Sequence, residues 1–337
     1  MTRLPLVPPP SCWILTDGNV GTMNQCLGLT EALGVEPSIR LSRPRAPWRW
    51  LAPAMWPWPL AAQPKSADSF DPPWPELLIA SGRTSFAPAA EIRRRSGGKT
   101  VLVAIQHPRT PLSWFDLVII PAHDRETGPN VLSTEGALNR VSASALAKGK
   151  ADFEPVYAHL PRPLIAVLLG GSNHRYNFDA EVGARLGAQL ASVAKANGAG
   201  LALTASRRTD AQALAALMAE LQDVPHDLWS GEGANPYMGL LALADHIVAT
   251  EDSVSMVSEA LMTGKPVHVA KLKAKRKGGG GKFAELHQRF FDQGRTRPFA
   301  PDSSGALPHW TYAPLNDTMA AATRVAALLS KSKENGA

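Results

Sequence analysis

Short apolar runs of strand length recur along this chain with helix-length segments between them, and that alternation restricts the fold more than any other feature. The runs lie at Trp13–Thr16, Leu77–Ala80, Thr100–Ile105, Leu117–Ile120, Leu164–Leu169, Gly200–Thr204, His246–Thr250 and Pro266–Val269. Asn24–Leu33, Phe178–Asn197, Asp210–Leu221 and Ser253–Thr263 carry helical periodicity between them. Strand and helix in alternation predict an α/β protein whose parallel sheets are built from βαβ units. The pattern falters between Asn139 and Pro163, in polar, Ala-rich sequence closed by prolines, and then restarts with a fresh strand. This marks a domain junction. At 337 residues the chain is long enough for two cores. The expected domains are 1–160 and 161–312, followed by 313–337, whose helix (Asn316–Leu329) packs back across the junction or onto the first domain.

The formal charge of +6 and pI near 9.4 suit an anionic partner: a nucleotide, a phospholipid surface or a nucleic acid. Cys12 and Cys26 sit in strand-like and helix-like sequence, which argues against a disulfide framework or a cysteine zinc site and for a reducing compartment. The cytoplasm is therefore the expected location. The opening residues carry four prolines and no signal-peptide core. No apolar run approaches the ~20 residues of a membrane-spanning helix.

Ligands of open parallel sheets gather beyond the carboxyl ends of the strands. Three such ends in the second domain are rich in suitable groups. Leu169 is followed by Gly170, Gly171, Ser172 and Asn173; Thr204 is followed by a loop with Ser206, Arg207 and Arg208; Thr250 is followed by Glu251, Asp252 and a helix start with Ser253, Ser255 and, farther in, Glu259. Each feature alone reads as a tight turn, a solvated pair or a helix cap. At consecutive strand ends of one domain they suit a nucleotide diphosphate, because glycine admits close backbone approach and turn and helix-start N–H groups attract phosphate.

These residues carry a resemblance. VLLGGSN before a helix, LTASRRT, and VATEDSVSMVSEALMTGKPVHV together resemble the donor half of two-domain GT-B glycosyltransferases. More narrowly, TDGNVGTMNQCLGLTEALG, GGSNHRYNFD and DSVSMVSEA resemble bacterial proteins grouped with the plant elongated-mitochondria fission factor, which are read as glycosyltransferases. The resemblance implies two Rossmann-like domains facing across a cleft. It also implies donor-binding roles for Gly170, Gly171, Ser172 and Asn173 at the diphosphate, and for Ser206 and Arg207 at phosphate or sugar. Ser253 and Ser255 would meet phosphate at the helix start, and Glu259 the ribose hydroxyls. It implies no metal and no cofactor, the nucleotide sugar being a co-substrate. The expected reaction is sugar transfer to an acceptor at the cytoplasmic membrane face, a lipid-linked or lipopolysaccharide intermediate being the candidate class. Two alternatives stay open: a nucleotide-sugar epimerase on the same fold, and a non-enzymatic membrane-associated scaffold.

The first domain should serve the acceptor. Asp17, Asn19 and Gln25 follow its opening strand, Arg83 ends another, and Gln106 and His107 end the next. Asp17 and His107 are the candidate catalytic bases. Arg43 to Leu60, RPRAPWRWLAPAMWPWPL, has too many prolines for a regular core element. Its tryptophans and arginines read either as a peripheral membrane contact or as an irregular lid on the domain's flank. With no recognisable nucleic-acid fold motif, no nucleic-acid partner is expected. Lys271 to Phe283 is basic and glycine-rich, either solvated or a closing loop that adds Lys282 to a phosphate site.

Overall fold

The structure, a computed structural model, describes residues 4, 6–64, 68–229, 231–275, 281–301 and 304–336. The chain forms two compact units, residues 1–140 with 316–337, and residues 141–315.

The first unit runs through β1 (Cys12–Thr16), α1 (Val20–Leu33), β2 (Ser38–Leu41), β3 (Leu77–Ser81), α2 (Phe86–Arg95), β4 (Val101–Ile105), β5 (Leu117–Pro121) and β6 (Val131–Thr134). Its six strands are parallel in the order β2-β1-β3-β4-β5-β6. β3 and β4 are buried at every position because helices cover both faces of the sheet. Successive side chains alternate between them: Leu77 and Ile79 pack with Cys26, Leu29 and Leu33 of α1, Leu78 and Ala80 with Phe86, Ala89 and Ile92 of α2. α1 starts where the Asn19 side chain accepts the N–H of Gly21, and ends at Gly34, whose φ of 68° closes the last turn.

The second unit contains α3 (Ala143–Tyr157), β7 (Leu164–Leu169), β8 (Tyr176–Asn177), α4 (Ala180–Asn197), β9 (Gly200–Ala205), α5 (Ala211–Ala219), β10 (His226–Trp229), α6 (Tyr237–Leu243), β11 (His246–Thr250), α7 (Val254–Leu261), β12 (Val267–Ala270), β13 (Lys273–Ala274), α8 (Lys282–Asp292) and β14 (Thr296–Pro298). Its main sheet is also parallel, ordered β10-β9-β7-β11-β12-β14. Leu164, Ala166 and Leu168 pack against Leu240, Val257 and Leu261, whereas Ile165, Val167 and Leu169 pack against Val182, Leu186 and Leu217. β8 and β13 form a separate two-stranded antiparallel ladder.

The chain then returns to the first unit as α9 (Asp317–Gly336). There Ala321, Ala322, Val325 and Leu329 join the cluster containing Leu29 and Leu33. The Asp317 carboxylate accepts the N–H groups of Glu135 (3.0 Å) and Gly136 (2.8 Å). The unit boundary falls at Arg140 rather than at residue 160. The segment read as a linker is α3, which packs on α6 and so belongs to the second unit: Gly149 lies against the backbone of Met238 and Gly239, where a Cβ would stand 2.7 Å from the Gly239 nitrogen. None of the described helices is long and apolar enough to cross a membrane.

Candidate functional site

In the second sheet the chain leaves β7 toward β9 and β10 on one side and returns to β11 on the other, so the strand order reverses between β7 and β11. A crevice opens beyond their carboxyl ends in such a topology. There the loop after β7 meets Asp252, whose side chain is fully buried. Its Oδ2 accepts the N–H of Gly171 (2.9 Å) and Nη2 of Arg208 (3.1 Å), and its Oδ1 accepts the Thr250 hydroxyl (2.7 Å). Thr250 Oγ1 in turn accepts the N–H of Gly170 at 2.8 Å. Burial raises the Asp252 pKa, while these donors and the Arg208 charge pull it back.

This network corrects the expectation that the Gly170 and Gly171 N–H groups face a diphosphate: both donate within the protein. The glycines are needed for approach. A Cβ on Gly170 would lie 2.2 Å from the Asp252 carboxylate, and one on Gly171 2.0 Å from the Arg208 carbonyl oxygen. Ser172 and Asn173 likewise build the turn. Ser172 Oγ accepts the Phe178 N–H (2.9 Å), and Asn173 Oδ1 accepts the N–H groups of Arg175 (2.7 Å) and Tyr176 (3.0 Å).

The loop after β9 changes the choice of arginine. Ser206 Oγ accepts the Arg208 N–H (3.2 Å), and Thr209 Oγ1 donates to the Gly170 carbonyl (2.5 Å), so the loop folds back on β7. This turn carries Arg208, half exposed, onto Asp252, while Arg207 lies exposed. Arg208, rather than Arg207, is thus held at the crevice.

Ser253 caps α7, accepting the N–H of Met256 at 3.3 Å, and Ser255 lies in the helix's first turn. Helix starts leave their first N–H groups without intrahelical partners, and the aligned peptide dipoles favour an anion there. Farther along the same helix, Glu259 Oε2 accepts the Tyr237 hydroxyl at 2.5 Å. Burial pushes Glu259 up to about 7, against the Tyr237 hydrogen bond, which lowers it. Asp252, Arg208 and Tyr237 were not assigned site roles from sequence. An acid at a strand end pointed to Asp252 only as a cap, and nothing local marks Tyr237.

The basic segment after β12 also gains a place. Lys273 and Ala274 pair with Asn177 and Tyr176, and the Lys275 N–H donates to the Arg175 carbonyl at 2.8 Å. The β7 turn and this segment therefore form one ribbon. Lys282 starts α8 and is exposed; the residues expected to form the middle of the closing loop, 276–280, lie outside the described residues.

In the first sheet the order reverses between β1 and β3. Asp17, exposed after β1, accepts the Asn19 N–H at 3.1 Å and lies against Gly82, whose φ is 92° and where a Cβ would stand 2.4 Å from the carboxylate carbon. Asn19 caps α1, and Gln25 is buried. His107 does not suit the role of base, because both ring nitrogens are engaged. Nδ1 accepts the Arg109 N–H (2.9 Å), leaving Nε2 to donate to Glu126 (3.2 Å). Arg83 is engaged too, its Nη1 and Nη2 donating to the carbonyls of Arg49 (3.1 Å) and Leu51 (2.7 Å). Gln106 (φ 73°) and Arg109 (φ 53°) hold left-handed backbone conformations after β4, a strain that non-glycine residues seldom carry.

The Mitochondrial fission ELM1 family matches residues 20–329. The Mitochondrial fission protein ELM1 of Arabidopsis thaliana is 35% identical over 277 residues, a match covering 74% of this chain and 63% of that protein. The match thus spans less than two thirds of this relative's length. Among solved structures, the UDP-GlcNAc 2-epimerase of Methanocaldococcus jannaschii has a TM-score of 0.55 at 9% identity, covering 95% of this chain and 99% of that one. Os79 of O. sativa, in complex with UDP, has a TM-score of 0.51 at 10% identity, covering 96% and 92%. These likenesses place the fold with the GT-B proteins.

Proposed function

The chain belongs to the Mitochondrial fission ELM1 family, and from that premise we propose that it is a glycosyltransferase that takes its sugar from a nucleotide-sugar donor bound at the β7/β11 crevice. The observation that carries the reading is Asp252, buried at the switch point and holding Arg208 there through a 3.1 Å ion pair. A buried carboxylate that accepts one N–H of an exposed arginine orients the guanidinium and leaves its other N–H donors for an anionic ligand. The leaving nucleoside diphosphate would meet Arg208 and the start of α7. Glu259 lies six residues beyond Ser253, or ~9 Å along the helix, a separation on the scale of a nucleoside, and would accept ribose hydroxyls. The UDP held by Os79 supports a nucleoside diphosphate as the ligand class.

In the inverting form of the reaction, the sugar C1–O bond to the diphosphate breaks as a bond forms from C1 to the acceptor oxygen. The acceptor's proton passes to a carboxylate, and the electron pair leaves with the diphosphate. In the first unit, Asp17 is the candidate for that base: its Oδ1 accepts the Asn19 N–H, and no hydrogen bond to its Oδ2 is seen among the described residues.

Calorimetry with UDP, GDP and CMP tests the donor site. One nucleotide should bind saturably to the wild type, and Arg208→Ala should weaken it about tenfold or more while Arg207→Ala changes it little. A well-folded protein that binds none of them at millimolar concentration overturns the reading. Product analysis separates transfer from epimerisation, which would release an altered free sugar without any acceptor.

A further inference from the structure

The tryptophan segment resolves into two sets of side chains with opposite fates. Trp56 is buried with Ala62 and Ala87, Trp48 packs against that cluster, and its Nε1 donates to the Pro57 carbonyl at 2.7 Å. Trp50, Met55 and Trp58 instead stand outward, 68%, 68% and 73% exposed. They are among the most exposed large apolar side chains of the described residues, and all lie within nine positions of one another.

The segment has a fixed shape. It is a series of short 3-10 turns begun by Trp48, Pro53 and Pro59. Arg83 clamps the carbonyls of Arg49 and Leu51, the Arg45 N–H donates to the Ala62 carbonyl at 2.9 Å, and Trp58 itself is held at φ 47°. A fixed segment that keeps aromatic rings in water forgoes their burial, and an exposed apolar patch on a rigid support marks a contact surface.

Its charge selects the partner. From Pro37 to Ala67 there is no Asp or Glu, whereas Arg40, Arg43, Arg45, Arg49 and Lys65 are all present. Arg49 lies over the Trp50 ring at 5.0 Å and Arg45 over Trp48 at 5.6 Å. Indole rings favour the headgroup level of a bilayer, with an apolar body and a polar N–H, and neighbouring arginines are drawn to anionic headgroups. We propose that Trp50, Met55 and Trp58 form a wedge by which the first unit docks on an anionic phospholipid surface. Arg83 and the reciprocal Ser42–Thr84 hydrogen bonds, 2.7 and 3.2 Å, tie this wedge to the loop after β3, which also packs against Asp17. The docked surface therefore adjoins the proposed base, and, granted the glycosyl-transfer reading, the acceptor is a lipid-linked hydroxyl presented at that surface.

Co-sedimentation with vesicles of phosphatidylcholine mixed with phosphatidylglycerol, against pure phosphatidylcholine, tests the docking without any nucleotide present. The full chain should bind the mixed vesicles and lose that binding in high salt. Trp50→Ser/Trp58→Ser should weaken it about tenfold or more, and Arg43→Glu/Arg49→Glu should do so while leaving both rings in place. Near-ultraviolet circular dichroism and the unfolding midpoint check that each variant folds. Wild-type protein that binds neither vesicle overturns the inference, as does binding that both variants retain. Self-association through the segment, or preferential binding of single-stranded nucleic acid there, also overturns it. Nucleotide calorimetry is run without vesicles, so failure of the donor site and failure of the wedge are read separately.

Discussion

Asp252 and the two glycines before it form a single unit of chemistry. Replacing Asp252 by Ala would leave the Gly171 N–H and the Thr250 hydroxyl without their buried acceptor, at a cost of about 1–3 kcal/mol. Urea unfolding of Asp252→Ala should show that loss, and Asp252→Asn should recover part of it. Gly171→Ala places a methyl group on the backbone of Arg208, which cannot swing aside as a side chain could; a destabilisation of about 1–3 kcal/mol is expected from the same measurement. Glu259 makes a prediction with a sign. Its folded pKa of about 7 lies above the ordinary value of 4.5. The stability this contributes is full below 4.5 and is lost as pH rises through about 7. A shift of this size corresponds to roughly 3 kcal/mol at most. Wild-type unfolding free energy should fall as pH rises across this window, and Glu259→Gln, which stays neutral, should flatten the dependence. Tyr237→Phe should move the inflection upward, because the lost hydrogen bond was lowering the Glu259 pKa.

At the scale of elements, the central strands were legible and the edges were not. β3, β4, β7 and β11 are buried throughout and read as continuous apolar runs. β2 and β10, which lie at sheet edges, have no fully buried position, so SIRL and HDLW carry no such signal. α3 escaped notice for a different reason: only Gly149 and Tyr157 are fully buried along it, and the narrow face on which Leu146 and Phe153 pack beside them is interrupted by that glycine. The glycine turn after β7 and the start of α7 were legible as local structure, because strand ends and helix caps are marked by composition. The distinction between Arg207 and Arg208 depends on a turn closed by Ser206 and Thr209, which neighbouring residue types alone do not fix. The cap of α7 offers a test at this scale. Ser253→Ala should cost about 1 kcal/mol and weaken nucleotide binding, read by thermal unfolding and calorimetry on the same sample.

At the scale of the molecule, the first unit is discontinuous in sequence, its last helix supplied after the whole second unit. α9 covers Leu29 and Leu33 with Ala321, Ala322, Val325 and Leu329, all of them buried. Ending the chain after Leu315 should therefore destabilise the first unit and leave the second folded. Calorimetric scanning would show this as a lowered transition for one unit beside an unchanged one, and loss of both transitions together would refute it. Synthesis on the ribosome meets the same dependence in time. Domains usually fold as units in the order they emerge. Here the sheet of the first unit emerges before the second unit yet keeps the face that α9 covers bare until α9 follows the second unit, so a later segment completes a unit begun earlier.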